Sequence, residues 1–463
     1  MFRKINLLLA LVLAFVMLCF ASMPAAMADE GDENGPGNAA ETDKAAITKL
    51  LKVPYGTSFP EGGFTFKFLI ELTSEDGEAP KGNAPIIGEK YNDPESGEPV
   101  PNTGYVEINL TSGDYPTTHG NLNYYYLESQ SIFDSTEWPH AGIYEYRITE
   151  EPNTLPPAIN AHLTYSKAEY TLYVYLDTDG EGGYEITHIG AVMTRTDADV
   201  EVENATKVDP TPGSSSEGPY SEMVFTNEYW NVTGPDPDTD PGPDPEFDAT
   251  LYVSKTVDGF YANAETYFTF DVTITAPDLS GVPESYKAYI IDGNAELPSY
   301  VTAEDMKDPE KNNVGAGLVS GAPDAYGDYI TFASGAPLTL NLKHGERLVF
   351  VGTPVGTSYE VTERAVANYA PGVFVMYSSE ASEHNIVTPN TPLAIPNAEF
   401  SSANGLMLVG EGENYAAFTN TRDAVTPTGL NLNDLPFIGM IALGLGALIV
   451  FVAVKSRSKK HNN

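Results

Sequence analysis

The chain has 463 residues, enough for two or three domains of ordinary size. Its 65 acidic and 24 basic residues give a formal net charge of −41, which excludes a nucleic-acid-binding protein because phosphates require a basic surface. An aromatic content of 11%, with 28 tyrosines, excludes a disordered stalk and indicates a folded interior.

The N-terminus has the pattern of a secretory signal peptide. Arg3 and Lys4 precede an apolar run over residues 5–20, and an Ala-x-Ala site ends at Ala28. We therefore expect residues 1–28 to be removed after Ala28. The alternative, an uncleaved membrane anchor, is disfavoured by the small residues at the predicted cleavage site and by the polar sequence that follows.

The single cysteine, Cys19, lies inside the predicted signal peptide. The exported chain therefore has no disulfide and must be stabilised by its core or by another kind of cross-link. Residues 29–44, acidic and glycine-rich, are predicted to form a disordered leader.

Residues 45–232 are predicted to form a first all-β domain. Apolar residues occupy every second position of several short segments, with Gly, Pro, Asn and Asp between them. The clearest predicted strands are 64–68, 104–110, 142–150, 170–176 and 223–229. Short alternating strands bury one face only against another sheet, so the pattern predicts a β-sandwich.

A second domain of the same class is predicted for residues 247–423. Residues 233–246 form an acidic, proline-rich linker that should be extended. Beyond it, the predicted strands are 251–257, 267–275, 338–342, 347–351, 358–363 and 414–420. The fold class predicted for the chain is therefore all-β, with two sandwiches in tandem, and 293–328 is left open as a further small domain.

Residues 424–463 have the pattern of a membrane-anchored tail. The apolar run 435–454 is long enough to cross a bilayer as a helix, and the basic residues after it are expected to stay in the cytoplasm. Everything between the two apolar segments is then exported.

The two predicted domains repeat three polar residue types in the same order. Each opens with a strand that carries a lysine, has a later strand that ends in Thr-Glu, and closes with Phe-Thr-Asn. Strand alternation places all of them on the apolar, inward face. The residues are Lys49, Glu150 and Asn227 in the first domain, and Lys255, Glu363 and Asn420 in the second.

Two interpretations of these residues remain open. In the first, the residues have only a structural role: each set is a buried ion pair with a hydrogen-bonded amide, or these strand ends reach solvent. In the second, each set forms an intramolecular isopeptide bond. In an apolar pocket the lysine pKa falls and the glutamate pKa rises, so that both groups become neutral. A neutral lysine amine can attack the asparagine carboxamide, while a protonated glutamate polarises the carbonyl and shuttles protons as ammonia leaves.

The chain resembles the streptococcal isopeptide-linked backbone pilins, whose wider relatives are the Cna protein B-type (CnaB) domains. The resemblance spans nearly the whole exported chain. The segments that carry it are 47–49, 64–67, 142–150, 225–227, 253–255, 342–346, 354–363 and 418–420. It implies immunoglobulin-like, CnaB-type sandwiches, with Lys49–Asn227 and Lys255–Asn420 as the cross-links and Glu150 and Glu363 as the proton shuttles.

The segment Thr426-Pro427-Thr428-Gly429 looks like the variant sorting motif of those pilins. The resemblance implies that a sortase cuts between Thr428 and Gly429 and passes the Thr428 carbonyl to an amine of another subunit or of the cell wall. An alternative site lies at 435–439, which has Ile438 where the reacting threonine should be. A plain membrane anchor is the second alternative.

Polymerisation in the resembled pilins uses a lysine near the end of the first domain. The nearest candidate here is Lys207, which we place in an exposed loop. The resemblance implies a pilus shaft subunit on the cell wall, with a sortase, other copies of the chain, minor pilins and peptidoglycan as partners. The alternative is a singly anchored adhesin or minor pilin that binds a host or matrix ligand through loops such as 74–101.

We expect no enzymatic activity beyond the chain's own cross-linking. No nucleophile motif appears, the seven histidines are scattered, and the Asp-rich loops lack calcium-site spacing. The sequence therefore predicts neither a cofactor nor a metal.

Overall fold

The computed structural model describes most of the chain between residues 43 and 423 and part of a helix beyond it. The described residues are 43–81, 84–134, 136–215, 218–232, 249–293, 299–324, 326–377, 380–385, 391–397, 401, 404–423, 440–441, 443–445 and 447–451. The predicted signal peptide, leader, linker and sorting motif lie outside the described residues.

Strands dominate the N-terminal half, where the alternation of apolar residues in the sequence matches their burial. In the second strand Phe64, Phe66, Phe68 and Ile70 are fully buried, whereas the residues between them are half-exposed. The strands are β1 (Thr48–Pro54), β2 (Phe64–Glu75), β3 (Glu89–Asn92), β4 (Pro99–Leu110), β5 (Thr117–His119), β6 (Leu122–Glu128), β7 (Gly142–Glu150), β8 (Leu163–Thr164), β9 (Glu169–Thr178), β10 (Tyr184–Arg195), β11 (Glu201–Val208) and β12 (Val224–Tyr229). One short helix, α1 (Pro157–Asn160), precedes β8.

These strands form two sheets around one core. The five-stranded sheet has the order β5-β6-β1-β12-β8, and the seven-stranded sheet has the order β11-β10-β9-β7-β2-β4-β3. Apolar residues of both sheets belong to a single buried cluster, with Leu51 and Phe225 from the first and Phe66 and Tyr146 from the second. We call this unit the N-terminal sandwich.

The C-terminal half repeats the arrangement with a second pair of sheets. Its strands are β13 (Ala249–Asp258), β14 (Phe268–Thr275), β15 (Ser285–Asp292), β16 (Ser299–Tyr300), β17 (Ile330–Ala333), β18 (Leu338–Leu342), β19 (Glu346–Val351), β20 (Ser358–Glu363), β21 (Ala370–Tyr377), β22 (Glu380–Asn385), β23 (Leu393–Ile395) and β24 (Tyr415–Thr421). A short helix, α2 (Ala303–Lys307), is capped by the Thr302 side chain.

The larger C-terminal sheet has the order β16-β15-β19-β13-β24-β21-β22, with β17 also paired to β15, and the smaller one has the order β18-β14-β20-β23. Both contribute to one apolar core, and we call the unit the C-terminal sandwich. Val301, Met306, Val314 and Val319 belong to the same core. These four residues of 293–328 therefore pack in the core of the C-terminal sandwich.

The first and last strands of each sandwich are parallel neighbours. In the N-terminal sandwich β1 pairs with β12, and Lys49 lies opposite Phe225. In the C-terminal sandwich β13 pairs with β24, and Lys255 lies opposite Phe418. In both cases the asparagine is two residues beyond that phenylalanine, so the two sandwiches share one register at this position.

The structure is mostly β and forms four sheets, as the predicted tandem of β-sandwiches requires. The described positions within 440–451 are helical and exposed. Among the residues described, no helix has both the length and the apolar character needed to span a membrane.

Two candidate cross-linking sites

The first site joins three strands at the centre of the N-terminal sandwich. Lys49 comes from β1 and Asn227 from β12 of the five-stranded sheet, whereas Glu150 is the last residue of β7 in the facing sheet. The Lys49 Nζ atom lies 2.9 Å from both carboxylate oxygens of Glu150. Asn227 Nδ2 donates to Glu150 Oε1 over 2.7 Å. One carboxyl group therefore bridges the amine and the amide.

The surroundings of the first site are apolar. The Lys49 and Glu150 side chains have no solvent exposure, and the amine lies 4.5 Å from the centroid of the Phe66 ring. Desolvation lowers the pKa of Lys49 to about 8, despite the opposing effect of the Glu150 charge. Desolvation likewise raises the pKa of Glu150 above its ordinary value. Both shifts favour the neutral amine and the neutral acid.

The C-terminal sandwich contains the same constellation. Lys255 from β13 lies 3.1 Å from Glu363 Oε2, measured from its Nζ atom. Asn420 from β24 donates from Nδ2 to Glu363 Oε1. Burial lowers the pKa of Lys255 to about 8 and raises that of Glu363. The Lys255 amine lies 4.2 Å from the ring centroid of Phe268.

The correspondence extends to strand register. Glu150 lies opposite Phe68 on β2, and Glu363 lies opposite Phe270 on β14. In both sandwiches the phenylalanine two residues before the asparagine packs on the phenylalanine opposite the glutamate. The ring centroids are 5.0 Å apart for Phe68 and Phe225 and 5.3 Å apart for Phe270 and Phe418. The two sites are thus copies of one arrangement.

The sites differ around the asparagine carbonyl. In the first, Asn227 Oδ1 accepts a hydrogen bond of 2.7 Å from the backbone N–H of Ser166. Asp197 holds this region in place, because its carboxylate accepts from the Ser166 hydroxyl and from the backbone N–H of Thr226. In the second site, the buried Asn420 Oδ1 has no hydrogen-bond partner within the described part of the chain.

Sequence reasoning did not identify Ser166 or Asp197. Both lie outside the alternating segments, and the Ser166 contribution comes from its backbone, which carries no residue-type signal. A further buried pair also went unnoticed: Asn312 donates to Glu346 Oε2 over 2.9 Å, and burial raises the pKa of Glu346 to about 7. The Glu346 carboxylate accepts a hydrogen bond from the backbone N–H of Lys343, and not from the amine of a lysine side chain.

The remaining predicted site residues fall in two groups. Lys207 is exposed, as predicted, but it lies on β11 at the edge of the seven-stranded sheet, so its placement in a loop is wrong. The segment pairs with β10 in an antiparallel ladder in which Lys207 lies opposite Val192, with a register shift between Met193 and Arg195. Ala28 and the motif 426–429 lie outside the described residues.

Chemically, each site contains the groups needed to exchange one amide for another. A buried amine is the nucleophile, a carboxamide is the electrophile, and a carboxyl group in contact with both can carry the proton between them. Among the residues that the structure describes, no cluster of His, Cys, Asp and Glu could hold a metal ion.

Comparisons with known proteins give one family match and several distant structural similarities. The family model described as "Domain of unknown function (DUF7601)" matches residues 249–399, about a third of the chain. No curated protein matches the chain.

The structural similarities are to pilus proteins. The major pilin from Streptococcus pyogenes is 17% identical, with a TM-score of 0.29, and the match covers 83% of this chain and 100% of that one. A second major pilin of that species, T3.2, is 15% identical with a TM-score of 0.27 and the same coverage. A pilus-presented adhesin (Cpa) is 12% identical with a TM-score of 0.21, covering 56% of this chain and 37% of the adhesin.

Proposed function

We propose that the protein is an exported structural protein of the cell surface whose two sandwiches are each closed by an intramolecular Lys–Asn isopeptide bond. The bonds join Lys49 to Asn227 and Lys255 to Asn420. The observation that carries the proposal is the duplication: the same buried lysine, glutamate and asparagine occur twice, on corresponding strands and in one register.

The alternative, a structural ion pair with a hydrogen-bonded amide, does not account for this duplication. Burying a charged pair usually costs about as much as its mutual attraction returns, so such a pair adds little stability over apolar residues. Its recurrence with the same amide in contact indicates a chemical use of the pair. No cysteine occurs after residue 28 to supply a disulfide. A covalent bond between the first and last strands would stabilise each sandwich in the same way, by restricting the unfolded chain.

The proposed reaction balances within each site. The neutral Lys49 amine forms a bond from Nζ to Cγ of Asn227, and the bond from Cγ to Nδ2 breaks. Glu150 contacts both nitrogen atoms, so it can take the proton from Nζ and deliver it to Nδ2, which leaves as ammonia. Packing holds the groups together and thereby supplies the proximity that the slow amide exchange needs. Lys255, Glu363 and Asn420 react in the same way.

We further propose that the chain is a sortase substrate and a pilus shaft subunit, cut between Thr428 and Gly429 and joined through the Thr428 carbonyl to Lys207 of the next copy or to peptidoglycan. The exposure of Lys207 on an edge strand supports this assignment, since the amine must reach another protein. The second candidate is a singly anchored adhesin or minor pilin with the same internal bonds.

The two candidates are separated by denaturing gels of boiled cell-wall extracts. A shaft subunit gives a ladder of multimers that Lys207→Ala and Thr428→Ala both abolish. Lys81→Ala is the matched control, because Lys81 is also an exposed lysine of the N-terminal sandwich. A single anchored band that Lys207→Ala leaves unchanged contradicts the shaft subunit and favours the adhesin.

A further inference from the structure

The asparagine carbonyl in the N-terminal site has a hydrogen-bond donor aimed at it, whereas the residues that the structure describes offer none to the carbonyl in the C-terminal site. Ser166 N–H donates to Asn227 Oδ1, and the Asn227 side chain is fully buried. Attack of the lysine on Cγ would place negative charge on this oxygen, because the carbonyl becomes a tetrahedral alkoxide. A fixed N–H at that oxygen stabilises the charge as it develops.

The donor exists because a strand is interrupted beside the site. β8 pairs with β12 only at Leu163 and Thr164, opposite Tyr229 and Glu228. Residues 165–168 then leave the regular ladder before β9 begins. The Ser166 N–H, which a continued ladder would have used, is thereby available to the Asn227 side chain.

Four hydrogen bonds fix the interrupted segment. The Ser166 hydroxyl donates to Asp197 and accepts from the backbone N–H of Ala168. The Lys167 N–H donates to the Asp197 carbonyl, and the Asp197 carboxylate accepts from Thr226 N–H, next to Asn227. These bonds hold the segment against β12, so the donor is already oriented before the reaction starts.

The corresponding edge of the C-terminal site has a different backbone. β21 pairs with β24 without interruption from Ala370 to Met376. The positional counterpart of Ser166 is Gly372, which lies opposite Thr419 and stays within this ladder. Among the described residues, Asn420 Oδ1 has no hydrogen-bond partner.

We propose that the backbone N–H of Ser166 is the oxyanion donor for the Lys49–Asn227 bond, and that Asp197 positions it. This role rests on the proposed isopeptide chemistry. Glu150 moves the proton from Nζ to the departing nitrogen, while Ser166 N–H stabilises the charge on Oδ1 and returns unchanged when the carbonyl re-forms. Within the described part of the chain, the Lys255–Asn420 bond has no such donor.

The test follows ammonia loss in a chain that can form only the first bond. Full-length Asn420→Ala chain is prepared and kept in denaturant, so that it has not folded and the bond has not formed; it is then diluted into neutral buffer with a mild detergent, quenched with acid at intervals and weighed intact. An amide-to-ester replacement at Ser166 removes the N–H and keeps the backbone shape. The matched control is the same replacement at Ala168, which removes an N–H of the same turn that does not contact Asn227.

The expected result is a rate reduced about 10²-fold or more by the ester at Ser166, the usual cost of losing one oxyanion donor, and a far smaller reduction by the ester at Ala168. Equal rates for the two esters overturn the donor role. If the Asn420→Ala parent loses no ammonia at all, the isopeptide proposal itself fails, and this outcome is distinct from the first.

A second measurement does not depend on how well the ester chain folds. In the unreactive Lys49→Met chain, amide hydrogen exchange at Ser166 should be slow, and Asn227→Ala in the same chain should accelerate it. An exchange rate that Asn227→Ala leaves unchanged overturns the proposed contact and with it the donor role.

Discussion

Replacing Asn227 by Ala should remove the cross-link of the N-terminal sandwich and lower its stability by a large amount. The bond would close a loop of about 180 residues between Lys49 and Asn227, which in the chain-entropy treatment of cross-links corresponds to about 5 kcal/mol. The substitution also removes the hydrogen bond that Asn227 Oδ1 accepts from the Ser166 N–H, worth about 1 kcal/mol.

These values translate into a large shift of the melting temperature. For a domain of about 190 residues, 1 kcal/mol corresponds to about 2–4 °C, so the loss of the bond lowers the Tm of the N-terminal sandwich by about 10–20 °C. The Tm of the C-terminal sandwich should stay unchanged because its own bond remains. Differential scanning calorimetry resolves the two transitions.

Asn312→Ala is the matched control for this experiment. Asn312 is fully buried and donates to a buried glutamate, but that carboxylate is not bound by a lysine amine. Its loss removes two hydrogen bonds, to Glu346 Oε2 and to the Asn341 carbonyl, and no cross-link, which costs about 1–3 kcal/mol. If Asn227→Ala lowers its domain's Tm no more than Asn312→Ala lowers that of the other domain, the reasoning that Asn227 carries a covalent bond is refuted.

Three further predictions concern the chemistry of the buried acids. Glu150→Gln keeps the side-chain shape but cannot shuttle a proton, so intact mass should show one ammonia fewer lost than in the parent chain. Glu151→Gln, at the half-buried neighbour, should lose the same number of ammonia molecules as the parent chain. The rate of the first bond should fall at high pH, because the site reacts while Lys49 and Glu150 share one proton and burial lowers the pKa of Lys49 to about 8. A quench series in which the rate still rises at about pH 10, near the ordinary lysine pKa, contradicts this. Burial raises the pKa of Glu346 from 4.5 to about 7, so the folded state binds this proton more tightly. The resulting stability is present below about pH 4.5 and is lost as the pH rises to about 7. Urea unfolding of the Asn420→Ala chain should show this loss, and Glu346→Gln should reduce it by the share of Glu346; the raised pKa of Glu363 in the same sandwich accounts for the remainder.

Strand periodicity predicts much of this fold. Phe64, Phe66 and Phe68 alternate with polar residues, and the structure buries them as β2. The same alternation on β7 places Glu150 in phase with Tyr144 and Tyr146, which are also buried. A polar residue at a strand position whose neighbours on the same face are all apolar can be recognised from the sequence. All six residues of the two sites could therefore be predicted without knowledge of their contacts.

Features that depend on long-range pairing could not be predicted in this way. The placement of Lys207 in a loop failed because β11 is an exposed edge strand whose residues show no burial alternation. β3 likewise lies within the segment predicted as a loop and is formed by pairing with β4. The Ser166 contact depends on a backbone N–H and on a strand interruption, neither of which has a residue-type signal.

The central claim is that two covalent bonds replace the disulfides this chain lacks. Its most direct test is mass spectrometry of the purified, unsubstituted protein, intact and after proteolysis. We predict an intact mass lower than that of the polypeptide by two ammonia molecules, one linked peptide pair containing Lys49 and Asn227, and a second containing Lys255 and Asn420. An intact mass equal to that of the unmodified polypeptide, with all four residues in unlinked peptides, would contradict the claim.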